Sequence, residues 1–186
     1  FNSGNNKRNL VLVSSFHESP KKIRVLGQFR RTYIIAENDT GLVLFDQCTL
    51  HRRLIFDTFV EVIHKKEVPV ENLKVSLLLE LTPKQSLMIQ QHLEPLSICG
   101  FALSPFGGNT FAVNSIPKFL FEDQVNNVIS KILERLTLFE KDLHVEKILR
   151  YVALTVAEFA SINPDQILEI GEMECLLAMW EELGAP

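Results

Sequence analysis

Three short runs of mostly apolar residues, separated by polar ones, occupy the segment from residue 23 to residue 46. This pattern predicts three β-strands, which cover residues 23–29, 32–37 and 41–46. Between the last two stands Asn38-Asp39-Thr40-Gly41, a run of residue types that favours a tight turn. We therefore expect a β-hairpin whose second strand ends at Asp46.

The strand over 41–46 is apolar on both of its faces. Leu42 and Leu44 point to one side, while Val43 and Phe45 point to the other, because side chains alternate along a strand. Such a strand must be covered twice. The following helix supplies one cover, and the other comes from a second layer or a second subunit.

The period becomes helical after Asp46, and this predicts a helix over 47–66. Its apolar stripe consists of Leu50, Leu54, Ile55, Phe59, Val62 and Ile63. Asp46 stands at the position of an N-cap, where its carboxylate can accept a backbone N–H of the first turn. A strand over 73–81 follows, and then Thr82 and Gln85 have the spacing of a capping box for a second helix.

The rest of the chain predicts two strands and three helices. The strands cover 98–103 and 110–116 and are joined through Gly107-Gly108-Asn109, and residues 104–108 are read as a plain hairpin loop. The helices cover about 125–136, about 144–160 and about 173–183. Clusters of strands with helices between them indicate an α+β fold.

Composition and charge exclude some classes of protein. The 186 residues are 46% hydrophobic and 23% charged, which is typical of a globular protein, and no apolar run reaches the ~18 residues of a membrane span. Three scattered cysteines, Cys48, Cys99 and Cys175, give no disulfide framework, so we expect a reducing compartment. The first residue is Phe1 rather than Met, so we expect a fragment of a longer protein.

The net charge of -4 is unevenly distributed. Up to Lys66 there are eleven basic and six acidic residues, and after it there are eight and seventeen. The basic part could contact nucleic acid phosphates, or its charges could simply be solvated. The four arginines that could face DNA are Arg30, Arg31, Arg52 and Arg53.

Metal chemistry is a candidate at the junction of strand and helix, where Asp46, His51 and Asp57 follow one another. Helical ligands for one ion recur every three or four residues, and these do not. Arg52 and Arg53 lie among them and would oppose a bound cation. The pattern therefore favours Asp46 as a helix cap and His51 as a surface residue.

The order Tyr-Ile-Ile-Ala-Glu-Asn, a turn, then Gly-Leu-Val-Leu-Phe-Asp-Gln within 28–47 resembles the start of the C-terminal domain of the MutL mismatch-repair family. The similarity continues more loosely over 20–183, through the strand and Thr-Pro helix at 77–93 to the closing Glu-Met-Glu-Cys-Leu-Leu-Ala-Met-Trp-Glu-Glu-Leu. The resemblance implies a two-lobed α+β domain that dimerises, below an upstream ATPase domain.

The lobes that the resemblance implies are discontinuous in sequence. A dimerisation lobe would comprise 20–66 and 143–186, from both ends of the chain, and an outer regulatory lobe would be inserted at 67–142. Residues 1–19, which are polar and rich in Asn, would be the end of the linker to the ATPase domain.

Many members of the family nick DNA through a metal-binding motif, Asp-Gln-His-Ala, two residues, Glu, four residues, Glu. The corresponding residues here are Asp46, Gln47, Cys48, Thr49, Arg52 and Asp57. A second motif, Ala-Cys-His, corresponds to Ala153-Leu154-Thr155, and the sliding-clamp motif has no counterpart at 71–76. The resemblance thus implies a member without nuclease activity, in which Asp46, Gln47 and Asp57 are remnants.

We therefore expect a non-enzymatic homodimerisation domain of a MutL-like repair protein, without a metal or cofactor in this fragment. Its partners would be a second copy, other mismatch-repair proteins and, weakly, DNA; it would be cytoplasmic and, in a bacterium, nucleoid-associated. The candidate interface residues are Leu42, Val43, Leu44, Phe45, Met173, Leu177 and Trp180. Two alternatives remain, a divergent DNA-nicking endonuclease that uses Asp46 and a DNA-contacting docking module.

Overall fold

A computed structural model of the chain describes residues 23–138 and 144–184, so the predicted tail at 1–19 lies outside the described residues. The strands are β1 (Arg24–Phe29), β2 (Tyr33–Asn38), β3 (Gly41–Asp46), β4 (Val70–Glu80), β5 (Ala102–Gly107) and β6 (Thr110–Pro117). The helices are α1 (Gln47–Lys65), α2 (Pro83–Gln91), α3 (Leu93–Ile98), α4 (Val125–Leu138), α5 (Val145–Ala160) and α6 (Ile170–Glu182). The predicted α+β class is confirmed.

The chain divides into two compact units, each with its own core. The first contains the described residues up to Leu54 and from Ser161 onward, and the second contains those within Ile55–Ala160. The first unit is built from both ends of the chain, and the division into a dimerisation lobe and a regulatory lobe stays a prediction. Its boundaries differ from the predicted 66 and 143, because the second half of α1 and all of α5 pack into the core of the second unit.

In the first unit, β1, β2 and β3 form an antiparallel sheet in that order. The β2–β3 pairing runs from Tyr33 opposite Asp46 to Asn38 opposite Gly41, as the predicted hairpin requires. One face of the sheet packs against α1 and α6. The buried core residues are Ile23, Ile34, Ala36, Leu50, Leu54, Ile162, Leu168, Met173, Leu176, Leu177 and Met179.

In the second unit, β4, β6 and β5 form an antiparallel sheet in that order. The large buried side chains of its core include Phe59, Phe101 and Phe111. The predicted capping box is confirmed: Thr82 Oγ1 accepts the N–H of Gln85 at 3.3 Å, and the Thr82 N–H donates to Gln85 Oε1 at 3.0 Å. This exchange satisfies two backbone N–H groups at the start of α2.

Two local predictions are wrong in the second unit. Ile98 ends α3 instead of opening a strand, and Pro95 lies in the first turn of α3, where a helix needs no N–H partner. Residues 104–107 belong to β5, and Ser104, Pro105 and Gly107 pair with β6, so a loop that begins at Ser104 is wrong. The predicted link through Gly107-Gly108-Asn109 agrees with the structure. A proline such as Pro105 is tolerated in β5 because β5 is an edge strand.

Candidate dimerisation surface

The outward face of the β1–β2–β3 sheet is apolar and exposed. Leu42 and Leu44 of β3 are 69% and 59% exposed, and Tyr33 at the start of β2 is 39% exposed. The half-buried Ile35 lies between them, opposite Leu44. We call this surface the open face; its apolar members are Leu26, Phe29, Tyr33, Ile35, Leu42 and Leu44.

Backbone register explains why these six side chains share one face. Phe29 pairs with Tyr33, and Ile35 pairs with Leu44, so these residues point the same way across the three strands. A bulge inserts Leu26 between the pairs made by Val25 and Gly27, which leaves the Leu26 side chain 44% exposed. A contiguous exposed apolar patch of this kind marks an interaction surface.

The opposite face of the sheet belongs to the core of the first unit. Val43 and Phe45 are half-buried, and the Phe45 ring meets the Trp180 ring edge to face, with centroids 4.9 Å apart. Met173 and Leu177 are each 2% exposed. Met173 and Leu177 were predicted to lie at the interface. That prediction is wrong, because the apolar side of α6 packs into the core of the first unit.

The prediction also missed members of the open face. Tyr33 and Ile35 were assigned to a strand but not to a surface, although their alternation with Ile34 and Ala36 was visible in the sequence. Only the register brings them beside Leu42 and Leu44. Leu26 could not be assigned, because the bulge that turns it outward has no sequence signature apart from the adjacent Gly27.

The junction of β3 and α1 is built as a helix cap. The N–H of Thr49 donates to Asp46 Oδ1 at 2.8 Å, which confirms Asp46 as the N-cap of α1. The bond satisfies one of the first-turn N–H groups that have no partner inside the helix. One carboxylate oxygen of Asp46 is therefore already engaged.

Gln47, the first residue of α1, is completely buried and hydrogen-bonded. Its Nε2 donates to the carbonyl of Arg31 at 2.6 Å and to that of Gln166 at 3.0 Å. Its Oε1 accepts from Nε2 of Gln28 at 2.6 Å, and Gln28 Nε2 also reaches the Gln166 carbonyl at 2.7 Å. This network joins β1, the start of α1 and the segment before α6, so Gln47 has a structural role.

The prediction that His51 is a surface residue is wrong. His51 is 6% exposed, and its Nδ1 accepts the backbone N–H of Ile162 at 3.0 Å. Burial lowers the pKa of His51 from 6.5 to about 4, so the ring is neutral at pH 7. The helical spacing placed His51 beside Leu50 and Leu54, but only the fold shows that the segment around Ile162 covers it.

The arginines that were candidates for DNA contact occupy two places in the first unit. Arg30 and Arg31 form the turn between β1 and β2, and both are exposed. Arg52 and Arg53 lie in the first half of α1 and are also exposed. Their contact with DNA stays a prediction.

The family model for the MutL C terminal dimerisation domain matches residues 26–168. This chain belongs to that family. The match includes β2, β3 and all of β1 except its first two residues, and with them every apolar member of the open face.

Relatives that carry the name DNA mismatch repair protein MutL are similar over most of the chain. The protein of Koribacter versatilis is 31% identical over 156 residues, which cover 84% of this chain and 24% of the relative. That of Clostridium perfringens is 31% identical over 156 residues, which cover 84% of this chain and 23% of the relative. That of Staphylococcus saprophyticus is 30% identical over 164 residues, which cover 88% of this chain and 25% of the relative. The chain thus spans about a quarter of the length of these MutL relatives.

The residues at the MutL nuclease positions do not fit a metal ion. Asp46 and Asp57 stand eleven residues apart along α1, a rise of about 16 Å, and exposed Arg52 carries a positive charge between them. Burial raises the pKa of the Cys48 thiol, and the negative charge of the Asp46 carboxylate raises it further. A raised pKa disfavours the thiolate, which is the form that binds metals. Within 23–138 and 144–184, no three His, Cys, Asp or Glu side chains are grouped as metal ligands would be.

The residues that were predicted to correspond to the second nuclease motif lie beside a hydrogen-bonded cluster. Thr155, which stands for its final His, is buried; its hydroxyl donates to the Tyr151 carbonyl at 2.8 Å and accepts from Arg135 Nη1 at 2.5 Å. Arg135 also pairs with Glu158 at 2.8 Å. A cation therefore already occupies the surroundings of Thr155.

No helix among the described residues is long and apolar enough to cross a bilayer.

Proposed function

We propose that this MutL domain holds two identical chains together through the open face of its first sheet, and that it has no nuclease site of its own. The observation that carries the proposal is the exposed apolar face, with Leu42 and Leu44 more than half exposed, inside a match to a dimerisation domain. An isologous dimer buries the same face of both copies with one contact.

The energetics favour such a pairing. A specific interface buries roughly 800 Å² on each partner, and apolar burial contributes about 25 cal/mol per Å². The side chains of the open face include two aromatic rings, Phe29 and Tyr33, which are the residue types enriched in the energetic centre of interfaces. Since association costs several kcal/mol in lost freedom, the apolar centre must be continuous to give a stable dimer.

The residues at the nuclease positions support a non-catalytic domain that holds no cofactor. Asp46 caps α1, and the side-chain hydrogen bonds of Gln47 join the start of α1 to β1 and to the segment before α6. The positive charge of Arg52 repels cations. A metal-dependent nuclease needs several converging anionic or imidazole ligands, often around two ions. Two of the residues that remain from the motif, Asp46 and Gln47, therefore have structural roles that need no metal.

The consequence for the whole protein is tethering. In the relatives the 156 matched residues make up only 24% and 23% of the chain, so most of each relative lies outside the dimerisation domain. Holding two copies together raises the effective concentration of any attached domains, such as the expected ATPase domains, and favours their pairing. Contacts with other mismatch-repair proteins and a cytoplasmic location belong to the same proposal.

Sedimentation equilibrium tests the dimer with a matched pair of variants. Leu44→Arg places a charge at the centre of the open face and should convert the protein to a monomer at micromolar concentration. Leu87→Arg is the control, because Leu87 of α2 is 55% exposed and lies outside that face. A wild-type monomer, or equal behaviour of the two variants, would refute the proposed surface.

Nuclease activity has its own test. Supercoiled plasmid incubated with the domain and Mn²⁺ should remain intact, at the level of an Asp46→Asn control. Nicking that the Asp46→Asn substitution abolishes would overturn the non-catalytic assignment and would establish the endonuclease alternative instead.

A further inference from the structure

The turn between β1 and β2 has an unfavourable backbone conformation. Arg30 and Arg31 both have positive φ, 51° and 54°, and the N–H of Thr32 donates to the Phe29 carbonyl at 3.1 Å to close the turn. Positive φ at both central positions is the pattern of a type I′ turn, for which Asn-Gly is the preferred pair. Arginine has a Cβ and disfavours this region by a factor of roughly five to thirty for each residue. The turn must therefore be held by residues outside it.

Gln47 holds the turn from the start of α1. Its side-chain Nε2 donates to the Arg31 carbonyl at 2.6 Å, and its backbone N–H donates to the Thr32 carbonyl at 2.9 Å. The Thr32 hydroxyl adds a further restraint by donating to the Arg30 carbonyl at 2.9 Å. Three successive carbonyls of the turn thus accept hydrogen bonds. Because Gln47 is completely buried, water competes poorly for the bond that its side chain makes.

Gln47 is itself anchored at the other end of its amide group. Its Nε2 also donates to the Gln166 carbonyl at 3.0 Å, and its Oε1 accepts from Gln28 Nε2 at 2.6 Å. Gln28 in turn donates to the Gln166 carbonyl at 2.7 Å and accepts the N–H of Leu168 at 3.4 Å. These partners fix the orientation of the Gln47 amide, so its Nε2 stays directed at the turn.

The turn connects two aromatic members of the open face. Phe29 and Tyr33 flank the turn, pair across the two strands and are 47% and 39% exposed. Turns with negative φ at the first central residue have the wrong twist for a two-residue hairpin and splay its strands. If the turn relaxed in this way, Phe29 and Tyr33 would separate. The open face would then lose its shape at this end.

We propose that Gln47 is a positioning residue for the dimer, because its bonds to the turn keep Phe29 and Tyr33 in the arrangement that a second copy contacts. The inference rests on the proposed dimer and adds the device that prepares its surface. A surface that is already ordered in the free chain binds more tightly than one that must be ordered on binding. Since Gln47 is completely buried, it acts through the turn and not by contact with the partner.

The size of the effect follows from the conformational preference of arginine. If the held turn fell to one fifth of the population in each chain, the dissociation constant of the dimer would rise about twenty-fivefold, because both copies need the held turn. Gln47→Met keeps the length of the side chain and removes its donors, so a loss of this size is expected. An Asn-Gly pair adopts the turn unaided. In a chain that also carries Arg30→Asn and Arg31→Gly, Gln47→Met should therefore weaken the dimer by no more than about twofold.

Sedimentation equilibrium of four chains tests the proposal: the wild type, Gln47→Met, the Arg30→Asn/Arg31→Gly chain, and the chain with all three substitutions. Near-UV circular dichroism first establishes that each chain is folded. The turn substitutions should restore the affinity that Gln47→Met removes, which a purely stabilising role of Gln47 does not predict. Equal losses in the two turn backgrounds, or no loss in either, would overturn the inference if the wild type is dimeric. A monomeric wild type would refute the proposed dimer itself.

Amide hydrogen exchange examines the turn separately from the dimer. In the Leu44→Arg chain, Gln47→Met should remove most of the protection of the Thr32 N–H, and Arg30→Asn with Arg31→Gly should restore it. Unchanged protection would mean that Gln47 does not hold the turn, and would overturn the inference even for a real dimer.

Thr32→Val provides a milder variant for the case in which Gln47→Met does not fold. It removes only the hydroxyl bond to the Arg30 carbonyl and should weaken the dimer about threefold, an effect that the Arg30→Asn/Arg31→Gly background should cancel. A dimer that Thr32→Val leaves unchanged would then contradict the inference.

Discussion

Acidification should destabilise the first unit through His51. The pKa of His51 is about 4 in the folded protein, and an unfolded chain has a histidine pKa of about 6.5. Because the folded value is the lower one, the unfolded state binds the proton first as the pH falls. The stabilisation is therefore complete above pH 6.5 and is lost progressively between pH 6.5 and pH 4.

The magnitude follows from the same two values. At pH 5 the unfolded histidine is almost fully protonated, while the folded one is still mostly neutral, so each pH unit below 6.5 costs about 1.4 kcal/mol. Between pH 7 and pH 5 the free energy of unfolding should fall by about 2 kcal/mol from this group alone. Protonation is unfavourable in the fold because the ring is buried, and a charged ring would lose its hydration there. Nδ1 also already accepts the N–H of Ile162.

Urea denaturation at pH 7, 6 and 5 and at fixed protein concentration provides the assay. In His51→Asn the amide oxygen can replace Nδ1 as acceptor but cannot titrate, so this variant should lose about 2 kcal/mol less than the wild type between pH 7 and pH 5. His64→Asn is the control, since His64 is an exposed histidine of the same helix. Burial also lowers the pKa of His92, but that contribution is common to all three proteins.

An equal loss of stability in the wild type and in His51→Asn would refute the reasoning. It would mean that the acid sensitivity comes from other groups, and that the hydrogen bond from Ile162 does not hold the ring neutral. A shift in the midpoint caused by dimer dissociation is excluded by repeating the titration at a tenfold higher protein concentration.

Two further predictions concern the start of α1, and both are checked by urea denaturation. Asp46→Ala removes the N-cap and should cost about 1 kcal/mol, whereas Asp46→Asn keeps an acceptor for Thr49 and should cost only a few tenths. Gln47→Leu leaves the buried carbonyls of Arg31 and Gln166 without their donor and should lower the free energy of unfolding by about 2–3 kcal/mol. Gln47→Glu should also be destabilising, because a carboxylate cannot donate to these carbonyls.

The sequence predicted those features of the fold that depend on neighbouring residues. The strand over 41–46, the N-cap at Asp46 and the Thr82 capping box all agree with the structure, since each follows from a few adjacent side chains. The turn residues 38–41 fixed the hairpin register, and the register placed Leu42 and Leu44 on one face.

The errors have long-range causes. His51 is buried because a segment more than a hundred residues later covers it, and no local pattern reveals this. Met173 and Leu177 were assigned to an interface because an apolar helix face looks the same in the sequence whether it packs into a core or against a partner. Gln47 was treated as a remnant of a metal motif, although contacts with Gln28 and Gln166 give it a structural role.

Intermolecular nuclear Overhauser effects test the central claim most directly. A sample that mixes methyl-labelled chains with unlabelled chains reports only contacts between copies. We expect such contacts from the methyl groups of Leu42 and Leu44 to the ring of Tyr33 or Phe29 in the other copy. Contacts confined to exposed leucines elsewhere, such as Leu87, or none from the open face in a proven dimer, would contradict it.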